Sequence, residues 1–235
     1  MFGSYRYPVS LSHGAISINV TADRKFARYI RECGGNRVEK ILGATDGTLL
    51  VNPVEPTNLP ENITGLLEIS FPSIVLKPGS FTTIYLTFPI EIAVFLEANN
   101  LFDVFDLFSL THTKFSLYGP PDAGPVTRWY RSGVYSSLPQ TDPLREGVME
   151  LRLQNSSPNS MQVSRGIFEN TAMALWYGEI VSLVASMNVF SETLAETRFF
   201  DKPLQPGMKR STDMFTARKI PVVQNASFFM EFGVT

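Results

Sequence analysis

The sequence predicts an all-β protein, an antiparallel β-sandwich architecture with little helix, and three observations carry that prediction. From Ile84 the even positions Ile84, Leu86, Phe88, Ile90, Ile92, Val94 and Leu96 are apolar, while the odd ones include Tyr85, Thr87, Glu91 and Glu97. A period of two is the signature of a strand with one buried face. Similar short segments recur along the chain between Pro, Gly and Asn turns, which is the rhythm of sandwiches rather than of strand-helix alternation. Helix formers are not concentrated in any long window, whereas Phe occurs 18 times.

Taken in order, GAISINV (14–20) is the first strand candidate. FARYIREC and NRVEKILG follow, flanking Gly34 and Gly35, which supply the positive φ of a tight hairpin and set Glu32 opposite Arg37. TLLVNPV (48–54) and GLLEISF (65–71) lead to the long alternating run. That run exceeds a usual strand of about five or six residues. Proline cannot donate to a ladder, so Pro89 marks the bend where the chain passes from one sheet to another, with Glu91 outward just beyond it.

NNLFDVFDLFSL (99–110) has a different rhythm, because Phe102, Phe105 and Phe108 repeat every third residue. It reads as a short helical turn capped by Asn100, with Asp103 in the first turn and Asp106 on the same side. KFSLYG and VTRWYRSGVY then flank PPDAGP as a second hairpin. VMELRLQ (148–154) alternates Met149, Leu151 and Leu153 with polar residues, a half-buried strand. MQVSRGIF, MALWYG, IVSLVASMNVF, ETRFFD and SFFMEFG complete the set.

SSLPQTDPLREG (136–147) is the most linker-like stretch and divides the 235 residues into an N-terminal sandwich domain, 1–140, and a C-terminal Ig-like sandwich domain, 141–235. Leu76-Lys77-Pro78-Gly79 recurs as Leu204-Gln205-Pro206-Gly207, a hint of duplication.

With 44% apolar residues the chain buries a substantial core, and a net charge of −2 gives no global field for nucleic acid or an anionic membrane. Cys33 is the only cysteine, so a disulfide-stapled secreted design is excluded and a cytoplasmic location is expected. The first residues do not read as a signal peptide, and no uncharged apolar run approaches the roughly 18 residues of a membrane helix. Sequons at Asn19, Asn62, Asn155 and Asn225 read as chance matches in that setting. His13 and His112 with one cysteine build no familiar metal site, and the chain has neither a phosphate-cradling glycine loop nor a nucleophile elbow. No metal and no cofactor is expected.

Carboxylates are the remaining route to catalysis. Glu91 with Asp103 or Asp106 could serve as an acid–base pair, or each could be structural: the aspartates starting a helix, Glu91 pairing with a cross-strand cation. Glu91, Lys114, Tyr118, Arg128 and Arg131 are the candidate binding residues. Arginine and aromatics are enriched at interface hot spots, but strand alternation turns Arg128 and Tyr130 away from Trp129 and Arg131, and Trp129 reads as core.

Pro89-Ile90-Glu91, Phe108-Ser109-Leu110, Lys114-Phe115-Ser116-Leu117-Tyr118-Gly119, Leu144-Arg145-Glu146-Gly147, Ala195-Glu196-Thr197 and Pro203-Leu204 together resemble an archaeal family known as domain of unknown function 432. The resemblance implies an archaeal cytoplasmic protein without an assigned activity, and a membrane-protein partner of the mechanosensitive-channel kind. It brings no catalytic residues. The functional expectation is a non-enzymatic accessory or regulatory subunit that binds another protein or a second copy of itself. The alternative is a carboxylate-based enzyme, or a binder of carbohydrate or another small ligand, using Glu91 with Asp103 or Asp106.

Overall fold

The structure is a computed structural model that describes residues 1–57, 59–60, 63–98, 101–214 and 227–235. It is all-β, and its strands form two sandwiches. In the first, β1 (Gly3–Tyr7), β6 (Gly47–Val54), β9 (Glu91–Ala98) and β10 (Leu101–Phe108) make an antiparallel sheet in the order β1-β6-β9-β10. It packs on the meander β2 (Val9–His13), β3 (Ile16–Ala22), β4 (Ala27–Cys33) and β5 (Asn36–Leu42). Ile16, Ile18, Val20 and Tyr29 from the meander meet Leu49, Val51, Ile92 and Val94 in one core.

The second sandwich sets β11 (Lys114–Leu117), β12 (Val126–Arg131), β7 (Leu66–Leu76) and β14 (Met161–Glu169), in the order β11-β12-β7-β14, against a seven-stranded sheet. That larger sheet contains β8 (Phe81–Pro89), β13 (Glu146–Asn155), β15 (Trp176–Tyr177), β16 (Val181–Val189), β17 (Ala195–Phe200), β18 (Lys209–Arg210) and β19 (Ser227–Met230). Leu67, Ile69, Val163 and Ile167 share their core with Leu86, Met149, Leu151 and Leu183. Most ladders are antiparallel, but β12 runs parallel to β7 and β13 parallel to β16. The named helical element is a single 3-10 turn, Asn170–Ala172.

The long alternating run divides at Pro89, as the missing donor requires. β8 ends there at the edge of the large sheet, and β9 begins at Glu91 as an inner strand of the first sandwich. Both faces are covered beyond the bend, however: Ile92 and Val94 face the meander, while Ala93 and Phe95 pack with Val54 and Met214. A strand with core on both sides offers no outward polar face, which is why Glu91 is buried rather than exposed.

Residues 101–108 are a strand and not a helical turn, and the expected cap, Asn100, lies outside the described residues. A bulge between Val104 and Asp106 inserts one extra residue, so Phe105 and Asp106 both turn toward the meander. The extra residue puts Phe105 and Phe108, three apart, on one face, while Phe102 packs on the other, and so part of the helix-like spacing is bulge geometry. VMELRLQ is the expected half-buried strand, with Met149, Leu151 and Leu153 fully enclosed.

Strand pairing crosses residue 140: β8 pairs with β13 and β7 with β14. The chain supplies the first sandwich from residues up to Val54, the second from Leu66 to Pro89, the first again from Glu91 to Phe108, and then the second. The repeated tetrapeptide is turn chemistry in both places, since Gly79 and Gly207 have φ of +67° and +83°. Of the sequons, Asn62 and Asn225 lie outside the described residues, and Asn155 is enclosed, donating to Leu76 O at 3.0 Å and Asn159 O at 2.8 Å.

The hairpin between β4 and β5 forms as the sequence predicts, with Glu32 opposite Arg37 at 3.2 Å. Gly34 and Gly35 have φ of +56° and +84°, and no atom stands within 4 Å of where a Cβ would be. Gly35→Ala is therefore expected to carry only the left-handed conformational penalty, about 1 kcal/mol, measured as a urea-midpoint shift with unchanged slope.

Candidate functional site

The bend at Pro89 places a charged residue where two sandwiches meet. Glu91 opens β9, opposite Val54 in the ladder, and is 1% exposed. Its Oε1 accepts a hydrogen bond from Arg128 Nη1 at 2.6 Å. Arg128 lies on β12 of the other sandwich and is likewise 1% exposed, so the pair is a dry link between the two units. Among the described residues, Arg128 Nη2 has no hydrogen-bond partner.

Asp106 is committed elsewhere. Its Oδ2 accepts from Tyr29 Oη at 2.8 Å and from Arg31 Nε at 2.6 Å, with Lys40 Nζ 4.0 Å from Oδ1. Arg31 also lies over the Phe108 ring at 4.3 Å. Asp103 is exposed on the same strand. The two buried carboxylates therefore do not share a site: Glu91 and Asp106 each hold their own arginine, while Asp103 is exposed on β10. Paired catalytic acids need a common gap for the substrate, and here each buried acid is neutralised inside a separate core.

The basic residues fare differently. A cleft of about 430 Å³ beside Pro89 is lined by Thr111, His112, Lys114, Arg128, Trp129, Tyr130 and Arg131. Three of the expected binding residues, Lys114, Arg128 and Arg131, thus come together. Alternation along β12 does not keep its neighbours apart here, because β11 stops at Lys114 opposite Trp129 and the cleft opens past that end. Trp129 is half-buried rather than core, with Lys114 Nζ 5.7 Å from its ring centre and its own Nε1 donating to Ser70 Oγ at 2.9 Å. Tyr130 anchors the floor through Thr87 Oγ1 at 3.1 Å and by donating to Glu146 Oε2.

Tyr118 is not part of this cleft. It is buried, its Oη accepts from Phe232 N–H at 3.0 Å, and Arg165 lies 5.1 Å from its ring, so it pins the C-terminal segment. His112 was not among the candidate binding residues, and strand alternation argued against Trp129 and Tyr130 forming one patch with Arg128 and Arg131. The local signal that could have found them was the shortness of KFSL against VTRWYR, which leaves the end of the longer strand uncovered. A second hollow of about 270 Å³, lined by Met1, Phe2, His13, Leu144 and Tyr177, is smaller than the usual small-molecule pocket of roughly 300–1,000 Å³. Among the described residues no group of three His, Cys, Asp or Glu is placed to hold a metal ion.

Two tyrosines report on these surroundings. Burial and the neighbouring Asp106 charge push the Tyr29 hydroxyl well above its ordinary value of 10.0. Burial and the hydrogen bond to Glu146 do the same for Tyr130. Below about pH 10 the tyrosine is neutral in both folded and unfolded chains. Above it only the unfolded form ionises, so stability present below that pH is lost as pH rises further. A phenolate absorbance titration is expected to show these two groups silent until the chain unfolds in alkali.

The family model described as "Protein of unknown function (DUF432)" matches residues 1–232. No curated protein and no solved structure matches the chain. No helix among the described residues is long and apolar enough to cross a membrane. The chain belongs to the DUF432 family.

Proposed function

We propose that this member of the family is a non-enzymatic binding protein, an accessory or regulatory subunit that holds another macromolecule at the junction of its two sandwiches. The observation that carries the reading is the cleft beside Pro89, whose described walls present aromatic and basic side chains and no carboxylate. Trp, Tyr and Arg are the residue types that dominate binding hot spots, and a concave site between packed units is where partners are commonly held. The carboxylate alternative loses its support because Glu91 and Asp106 are each consumed by a buried ion pair. With Cys33 as its only cysteine, and buried, the chain is suited to a reducing cytoplasm.

The test separates binding from turnover. Purified protein is offered ester, glycoside, phosphate and peptide substrate panels, and no product is expected above the level of a Lys114→Ala/Arg131→Ala control. Sustained turnover that vanishes in an Asp103→Asn variant overturns the reading, because that exposed carboxylate is the one not spent on an arginine core.

A further inference from the structure

In the cleft beside Pro89, Lys114 and Arg131 carry positive charge that no described carboxylate pairs with. Lys114, Arg128 and Arg131 line the cleft together with His112, with no aspartate or glutamate among the described lining residues. Lys114 and Arg131 are exposed, and no described carboxylate lies within ion-pair distance of either. Arg128 gives Nη1 to Glu91, but its buried Nη2 finds no acceptor among the described residues. A buried guanidinium nitrogen without an acceptor carries a desolvation penalty that an incoming oxygen relieves. The chain as a whole carries a net charge of −2, so this basic cleft is a local departure from the average.

The backbone of the same cleft is open as well. β11 pairs with β12 only as far as Lys114 opposite Trp129, which leaves Tyr130 and Arg131 without a neighbour on that side. Ser132 N–H points toward β7, donating to Ser70 O at 2.9 Å. Successive peptide groups of a strand point to opposite sides, so the N–H and carbonyl of Arg131 face the uncovered edge. An unpaired strand edge recruits extended peptide through main-chain hydrogen bonds, and the flanking pockets choose its side chains.

We propose that the cleft takes an acidic segment of a protein partner, laid in extended form along the open end of β12 with a carboxylate side chain among Lys114, Arg131 and Arg128. This rests on the binding reading above and adds the chemistry of the partner. Edge pairing gives the segment its direction, and Lys114 and Arg131, which hold no described carboxylate, give it its charge requirement. The volume of about 430 Å³ falls within the range of sites that enclose a ligand on several sides.

The test uses the full chain and fluorescence anisotropy of a labelled, capped octapeptide that alternates glutamate and valine, beside a glutamine–valine peptide of the same length. The glutamate peptide is expected to bind at least tenfold tighter than the glutamine one. Its affinity is expected to fall about tenfold in Lys114→Gln and again in Arg131→Gln, and to weaken with added salt. Both side chains are exposed, so thermal unfolding of the two variants is expected to match the parent.

Equal affinity for the two peptides overturns the acidic requirement while leaving a binding protein in place. Unchanged affinity in both variants moves the site away from this cleft and overturns it as well. Inorganic phosphate that binds where neither peptide does assigns the cleft to a small anion, again against the proposal. Absence of peptide binding together with sustained substrate turnover removes both this inference and the reading it rests on.

Discussion

Replacing Arg128 with methionine is expected to destabilise the folded chain by about 3–5 kcal/mol, because the substitution removes the guanidinium that Glu91 meets in a water-free interface. For a chain of this size each kcal/mol corresponds to about 2–4 °C, so the midpoint should fall by roughly 6–20 °C. Glu91→Leu alone is expected to cost a similar amount, since it strands Arg128, whose Nη2 already has no partner. The double variant Glu91→Leu/Arg128→Met should recover most of the loss, because two charges taken out of water together gain little net stability over an apolar pair of similar volume. A double-mutant cycle by urea unfolding measures this directly. Additive losses would show that the two side chains do not act as a pair.

The second large effect is expected at Asp106. Asp106→Ala removes the acceptor of Tyr29 and the counter-charge of Arg31 at once, with an expected cost of about 3–4 kcal/mol. Asp106→Asn keeps a carbonyl oxygen for one of the donors and discards the charge, so the loss should be smaller, about 2 kcal/mol. The difference between the two variants isolates hydrogen bonding from charge pairing. Urea unfolding of both, at constant slope, is the measurement. If alanine and asparagine cost the same, the charge carries the whole effect.

What the sequence made legible was local. The Gly34–Gly35 hairpin needs only two residues with φ open to positive values, and the pairing of Glu32 with Arg37 follows from its length. The bend at Pro89 needs only the missing N–H. The misplacement of Glu91 came from parts of the chain that meet across long separations. Alternation from Ile84 to Leu96 says that one face is buried, but it does not reveal that Met214 covers the other. Glu91 looked outward for that reason.

The spacing of Phe102, Phe105 and Phe108 suggested a helix, but only Phe105 and Phe108 share a face, where the bulge adds one residue to a period of two, and Phe102 packs on the opposite side. Arg128 offered no local sign of burial, since its partner lies 37 residues earlier and on another sheet. The basic half of the site, by contrast, was partly readable: Lys114, Arg128 and Arg131 stand on or beside one hairpin, and hairpin partners are neighbours in space as well as in sequence.

Because β9 and β10 occupy half of the first sheet although β7 and β8 precede them in the chain, synthesis delivers the pieces out of spatial order. A nascent polypeptide released up to Val54 has its meander and two strands but lacks the segment that fills the middle of the opposing layer. Expression of either end alone should leave exposed ladder edges and yield aggregate, while co-expression of fragments cut in the PPDAGP turn keeps residues 1–108 together and offers the better chance of reassembly.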